Sequence, residues 1–453
     1  MVSAAGRAPP ATELGAFVAD LAFADVPESA RRTAERAFVD TIGVTLSGAA
    51  EGAGANAMAL TERESGDVAL VGQSASSAFG EAVFANATAG HALDFDDTAL
   101  AATDGHPSVP MVAPLLAVGA REGASGRELL TAYVAGFETQ AYLDAPITPG
   151  HYEGGWHATA TLGTFGATAA VAKLLDLPAE TVATALNIAA SLPAGLKRNF
   201  GTGTKPVHAG NAARAGVTAA RLAAEGVDAD PDAIGGERGF FDLYRGDGDP
   251  DRSALPTLGD QWALATDGID VKKYACCYYT HAAIYATERL RDGAAIDPGA
   301  VERVRVTASQ GAADAVVHDD PASPTQAKFS MPYLVGYALA EGTVDLAAFD
   351  PAALDDSQVQ GLRERVAFAV DPDRAYDDYG VTVTIETDDG QRHERVQDHP
   401  PGTHDDPLSD AELREKFDMC AARAPTDVDA AAVYEHLDDL RTVADVGTIT
   451  ALL

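Results

Sequence analysis

Alanine- and glycine-rich stretches with apolar residues three or four positions apart recur through the first two-thirds of the chain. This texture limits the fold more than any single motif. Small side chains on helical faces let helix axes approach closely, so the chain must build its core by stacking helices. Phe38, Ile42 and Leu46 mark one apolar face over Pro27 to Leu46. Ser125, followed by Gly126-Arg127-Glu128, is a capping-box pattern that opens a helix through about Leu143. Helices also fit Ser76 to Ala92, Pro107 to Arg121, His157 to Leu175, Pro206 to Glu225 and Thr280 to Arg291. Ala158 to Ala172 is nearly uncharged, but it is short and made of Ala, Gly and Thr, which suits an interior helix better than a membrane span.

The periodicity changes near Ile269. Val301 to Thr307, Arg365 to Val370 and Val381 to Glu386 alternate as strands do. Asp388-Asp389-Gly390 then turns the last of them into a hairpin with Gln391 to Val396. A helix from about Lys328 to Ala340 lies between these strands, and helices return at Asp410 to Met419 and Asp427 to Leu440. A chain of 453 residues exceeds one compact core. The reading is therefore mainly α: a large all-helical domain from residues 1–268 with 401–453, and a smaller α+β domain over 269–400.

Charge narrows the partners. Acidic residues number 68 against 32 basic ones, a formal net charge of -36. Nucleic acid and anionic membranes are excluded as natural ligands by repulsion. The acidity is spread along the whole chain, as on a surface adapted to high salt, so a halophilic protein is expected. Only seven of the basic residues are lysines: Lys173, Lys197, Lys205, Lys272, Lys273, Lys328 and Lys416. In a surface that avoids lysine, those that remain are candidates for specific work. The three cysteines, Cys276, Cys277 and Cys420, fit neither a disulfide framework nor a zinc spacing. The N-terminal stretch lacks a charged region followed by an apolar core, and a cytoplasmic location is expected.

Four constellations could carry chemistry. His91-Ala-Leu-Asp94-Phe-Asp96-Asp97-Thr98 is followed by Gly105-His106-Pro107-Ser108. If Asp94 to Thr98 is helical, Asp94 and Thr98 share a face. A protonated His106 at a helix N-terminus could meet an anion. Asp96 and Asp97 read equally well as plain acidic surface. A metal is a rival reading, but DxDD alone is a weak signal for one. Gly154-Gly155-Trp156-His157 places His157 at a helix start, where a neutral imidazole is a competent base; a capping histidine is the equal alternative. Gly201-Thr-Gly203-Thr204-Lys205-Pro206-Val-His208 sets a lysine at a helix entrance, an anion site. Lys205 is followed by Pro and not by Ser or Thr, so this is no nucleotide loop and a carboxylate fits better. In Lys272-Lys273-Tyr274-Ala-Cys276-Cys277-Tyr-Tyr-Thr280-His281 the paired lysines stand out, whereas Cys276 and His281 read as packed structural residues.

His91 to Ser108, Trp156 to Gly163, Thr204 to Arg214, Lys272 to Ala283 and Ala327 to Tyr333 occur in an order and spacing that resembles the MmgE/PrpD family. The resemblance spans almost the whole chain. It implies a helical domain with a smaller α+β lid, a homodimer, no required metal or cofactor, and a di- or tricarboxylate substrate. It carries the family's pocket onto Asp94, Thr98, His106, His157, Lys205 and Lys272, with Lys273 beside them. It departs at Ala275, where proline is usual, and at His318-Asp319-Asp320, where decarboxylases tend to carry a tyrosine. The leading implication is a lyase that dehydrates 2-methylcitrate. A cis-aconitate decarboxylase and an iminodisuccinate-type epimerase are the alternatives, and a non-catalytic organic-acid binder is the remote one. In this reading His157 is the base and His106 the acid, roles that can be exchanged. Asp94 orients an imidazole, Thr98 and the lysines bind carboxylates, and Lys205 and Lys272 stabilise developing negative charge.

Overall fold

The computed structural model describes residues 7–61 and 64–453. Two compact units are present. The first runs to Val271 and resumes over Ser409–Leu453; the second is Lys272–Leu408. The protein is mainly helical, with a large helical unit and a smaller one built on a four-stranded mixed sheet.

In the larger unit the helices that matter for the site are α1 (Glu28–Gly48), α2 (Phe79–His91), α3 (Val109–Glu122), α4 (Gly126–Asp144), α5 (Ala158–Leu174) and α6 (Thr204–Ala224). The central helix is α5, which packs on α3, α4 and α6. Its residues from Ala158 to Ala172 are all buried. The threonines there are accommodated because Thr164 and Thr168 donate to the carbonyls of Ala160 and Thr164, at 2.8 and 2.7 Å. Glycine permits the close approach: a Cβ on Gly216 of α6 would collide with Ala167 of α5. Among the described residues no helix is long and apolar enough to cross a membrane.

The capping box at Ser125 forms as the sequence requires, with Ser125 N–H donating to Glu128 at 2.7 Å. Several expected helix starts move by two or three residues, and two of these shifts fall on α2 and α3. Ser76 and Ser77 pair with Val68 and Ala69 in a two-residue ladder, so the unit is not wholly helical and α2 begins at Phe79. α3 begins at Val109 and not at Pro107, and takes Pro110 in its first turn, where a missing N–H costs nothing.

In the smaller unit, α7 (Tyr278–Ala294) leads into β1 (Val301–Ala308), and α8 (Met331–Glu341) precedes β2 (Val366–Val370), β3 (Val381–Thr387) and β4 (Arg392–Gln397). The sheet order is β2-β1-β3-β4. β1 and β2 are parallel, while β3 runs antiparallel to both β1 and β4. The alternating residues Val304, Val306, Val383 and Ile385 are buried in one core with Ala283, Met331 and Val335. The chain then returns to the larger unit through α9 (Asp410–Ala421), which packs on α1.

Candidate active site

The site grows from the end of α2. His91 is its last residue, and Asp94 takes a left-handed backbone conformation (φ 54°) that stops the helix, a conformation that Asp tolerates better than most residues. Asp94 to Thr98 is therefore a loop, and Asp94 and Thr98 share no helical face. Thr98 is tied through its backbone to Asp270, at 2.9 and 2.7 Å. Its buried hydroxyl finds no hydrogen-bond partner among the described residues.

This loop threads two buried carboxylates under the histidines. Asp96 is fully buried and accepts from His91 Nδ1, which lies 2.9 Å from each of its oxygens. His106 Nδ1 is 3.1 Å from Asp96 Oδ2, close but poorly aligned for a hydrogen bond. Burial alone would raise the Asp96 pKa, but the facing His106 and His91 outweigh it and hold the carboxyl well below its usual range. Asp96, which reads in the sequence as plausible surface, thus holds the His91 imidazole by a hydrogen bond and faces that of His106, where the sequence reading puts Asp94. Asp94 sits elsewhere: its Oδ1 is 2.8 Å from Lys205 Nζ and 3.6 Å from His106 Nε2.

His106 is held in place by its backbone N–H, which donates to Thr159 Oγ1 of α5 at 2.9 Å. Burial pulls its pKa down to about 4 against the raising effect of Asp96, so the resting ring is neutral and not the protonated anion-binder expected from its position. His157 is the N-cap of α5, anchored by its N–H to the Gly195 carbonyl at 3.1 Å. Burial first, then the Lys205 charge, lowers its pKa well below the ordinary value. Its ring stacks on His91 with centroids 5.7 Å apart and meets Phe200 edge-on at 4.9 Å. Its Nδ1 lies 3.0 Å from Nδ1 of His208, which is one turn beyond Lys205 on α6. His91 and His208 lie inside the motifs the sequence singles out, yet nothing in spacing separates them from helix-packing histidines.

Asp94, His106, His157 and Lys205 are therefore brought together by α2, α5 and α6, with His91, Asp96 and His208 added. Lys272 and Lys273 open the second unit. Lys272 is buried, and Lys273 lies 5.4 Å from the ring centroid of Tyr285. The Cys276 thiol is fully buried beside Thr280, and burial pushes it up to about 12, which suits packing and not nucleophilic attack. His281 is likewise buried, between the rings of Tyr274 and Tyr278.

His91, Asp94, Asp96 and His106 offer one ligand atom each within 4.8 Å of one another, the set that could hold a metal. Those atoms already engage one another. The Lys205 ammonium, 2.8 Å from Asp94 Oδ1, already places a positive charge beside this set, and a dication there would meet its repulsion.

Residues 12–253 match the MmgE/PrpD N-terminal domain, and residues 274–439 match the MmgE/PrpD C-terminal domain. The chain belongs to the MmgE/PrpD family. Among its curated relatives, the cis-aconitate decarboxylase of Homo sapiens is 27% identical over 389 residues, covering 82% of this chain and 79% of the relative. That of Mus musculus is 29% identical over 393 residues, covering 82% and 78%. The Aspergillus terreus enzyme of the same name is 25% identical over 354 residues, covering 73% and 71%. As a member of the MmgE/PrpD family the chain is a lyase-type enzyme.

Proposed function

We propose that this chain is a carboxy-lyase that removes carbon dioxide from an unsaturated tricarboxylate of the cis-aconitate kind. The observation that carries the reading is the buried cluster of neutral histidines beside the Asp94–Lys205 pair, in a chain whose curated relatives are named cis-aconitate decarboxylase. This ranks decarboxylation above 2-methylcitrate dehydration, the order opposite to the one the motifs alone suggest. Loss of carbon dioxide leaves an electron pair spread over the neighbouring alkene and carboxylate, and one proton closes the reaction. Lys205 meets the anionic charge. Asp94 accepts from one of the three N–H donors of Lys205 and holds the ammonium in place, and the others serve a substrate carboxylate. A histidine delivers the proton. Thr98, Lys272 and Lys273 are assigned to carboxylate binding.

Dehydration of 2-methylcitrate is the second reading, favoured by His318-Asp319-Asp320 at the position where decarboxylases tend to carry a tyrosine. Purified protein in molar salt should be given cis-aconitate, 2-methylcitrate and iminodisuccinate in parallel, with and without EDTA. Carbon dioxide release from cis-aconitate, undiminished by EDTA, is the expected result. Water loss from 2-methylcitrate without carbon dioxide would install the second reading. Activity lost to EDTA and restored by a divalent ion would turn His91, Asp94, Asp96 and His106 into metal ligands.

A further inference from the structure

A neutral imidazole can give up an N–H proton only if its other nitrogen gains one at the same moment; otherwise it must become an imidazolide. The buried rings of this site differ in what their Nδ1 atoms face. Those of His91 and His106 face Asp96, an ionised carboxylate that accepts and cannot donate. Neither ring can therefore be resupplied with a proton through its Nδ1 contact. The Nδ1 of His157 faces another imidazole nitrogen, His208 Nδ1, at 3.0 Å. A contact of that length between two ring nitrogens needs one proton, on one or the other. Neither ring carries a charge at rest: burial brings His208 to about 4 and lowers His157 well below its ordinary value, with Lys205 adding to both.

We infer that His208 is a proton-relay residue, which hands a proton across the Nδ1–Nδ1 contact to His157 while His157 delivers its Nε2 proton to the substrate carbon. The inference rests on the decarboxylase reading. The step balances. The C–CO2 bond breaks and carbon dioxide leaves; the electron pair takes the His157 Nε2 proton to form C–H; the His208 Nδ1 proton moves to His157 Nδ1; and His208 Nε2 takes a proton from water. One solvent proton is consumed per carbon dioxide released. After product leaves, water in the emptied site resets both tautomers by the reverse shift. His157 is then the acid, and His208 acts through His157 without touching substrate. Its place one turn after Lys205 on α6 keeps relay and cation on one rigid element.

The pair is tested first without turnover. In the 15N-labelled wild-type protein, a scalar coupling between the Nδ1 atoms of His157 and His208 is expected, with one of them protonated. Two unprotonated Nδ1 atoms with no coupling would overturn the relay, whether or not any variant folds. Next, His208→Gln and His208→Ala are assayed on cis-aconitate. The kcat should fall by about 100-fold, within the range of general acid–base contributions, with KM little changed. Added imidazole should restore His208→Ala and leave the wild type unaffected. Normal turnover in either variant, or a folded His208→Ala that imidazole does not restore, would sink the relay while the functional reading stands. A wild type that shows the coupling but turns over none of the three acids would sink the functional reading instead.

Discussion

Lys416 is 5 % exposed on α9, and its ammonium lies 2.5 Å from Asp40 of α1, donates to the Phe95 carbonyl at 2.8 Å and sits 4.0 Å from the Phe95 ring centroid. It is the buried clamp on the loop that carries Asp94 and Asp96. Lying outside every motif, it looks in the sequence like a dispensable surface charge. Removing it strands Asp40, whose carboxyl burial already pushes upward in pKa against the pull of Lys416. Lys416→Ala should cost about 3–5 kcal/mol of stability, the usual penalty for breaking a buried pair, read as a fall in the urea midpoint; a change below 1 kcal/mol, on the same scale, would mean the pair is solvated. Lys205→Ala should instead leave the fold standing and lower kcat/KM by about 10- to 150-fold, the equivalent of a lost charge-assisted bond of roughly 1.5–3 kcal/mol. Arg289, exposed on α7, is the proper charge control, and Arg289→Ala should change neither quantity. Equal effects of the Lys205 and Arg289 substitutions on kcat/KM would remove Lys205 from the mechanism. Lysine scarcity marks structural posts as readily as catalytic ones: Lys173 holds the Ala19 carbonyl and Lys197 that of Tyr152.

Secondary-structure elements here are joined by buried carboxylates as well as by apolar faces. Glu138 of α4 reaches the start of the short helix Ala263–Thr266 and accepts from the N–H groups of Ala263 and Leu264, both at 3.0 Å. Burial outweighs those two bonds and raises its pKa to about 7. An unfolded chain would ionise this group near 4.3. Between about pH 5 and 7, then, the folded state holds a proton that the unfolded state has lost, and this group's contribution to stability falls as pH rises, by at most about 1.4 kcal/mol per pH unit. The stability difference between wild type and Glu138→Gln should follow that slope in chemical denaturation at pH 5, 6 and 7. A difference that is flat across the three would show that Glu138 is ionised in the fold. Elsewhere on α4, Tyr133 meets Ser108, whose oxygen lies 2.6 Å from the tyrosine hydroxyl and which also donates to Asp97, so α4 also braces the loop that carries Asp96 and Asp97.

Across the whole molecule the net charge of -36 sets a self-repulsion that added salt relieves. The midpoint of thermal unfolding should rise steadily from low ionic strength toward molar NaCl. A flat response would mean that local ion pairs already neutralise the acidic residues. The same field repels a polycarboxylate. Low salt should therefore slow capture of substrate as well as weaken the fold, and stopped-flow binding in a salt series separates the two.

Helices and strands were legible because each follows from local rules: period, capping and turn chemistry act within a few residues. Ser125 with Glu128 and the Asp388-Asp389-Gly390 turn are cases where sequence and structure coincide. The order β2-β1-β3-β4, with its parallel pair, was not legible, because strand partners are chosen by long-range packing. The candidate site divides in the same way. Residue type and motif brought forward Asp94, His106, His157 and Lys205. Only tertiary structure decided that Asp96 faces the imidazoles, that Asp94 pairs with Lys205 and that His208 meets His157. Three aspartates within four positions are chemically alike in a sequence. The left-handed turn at Asp94 sends one toward a lysine and the other two are buried, and their neighbours then set which carries charge: His106 and His91 hold Asp96 low, while burial and Asp40 raise Asp97.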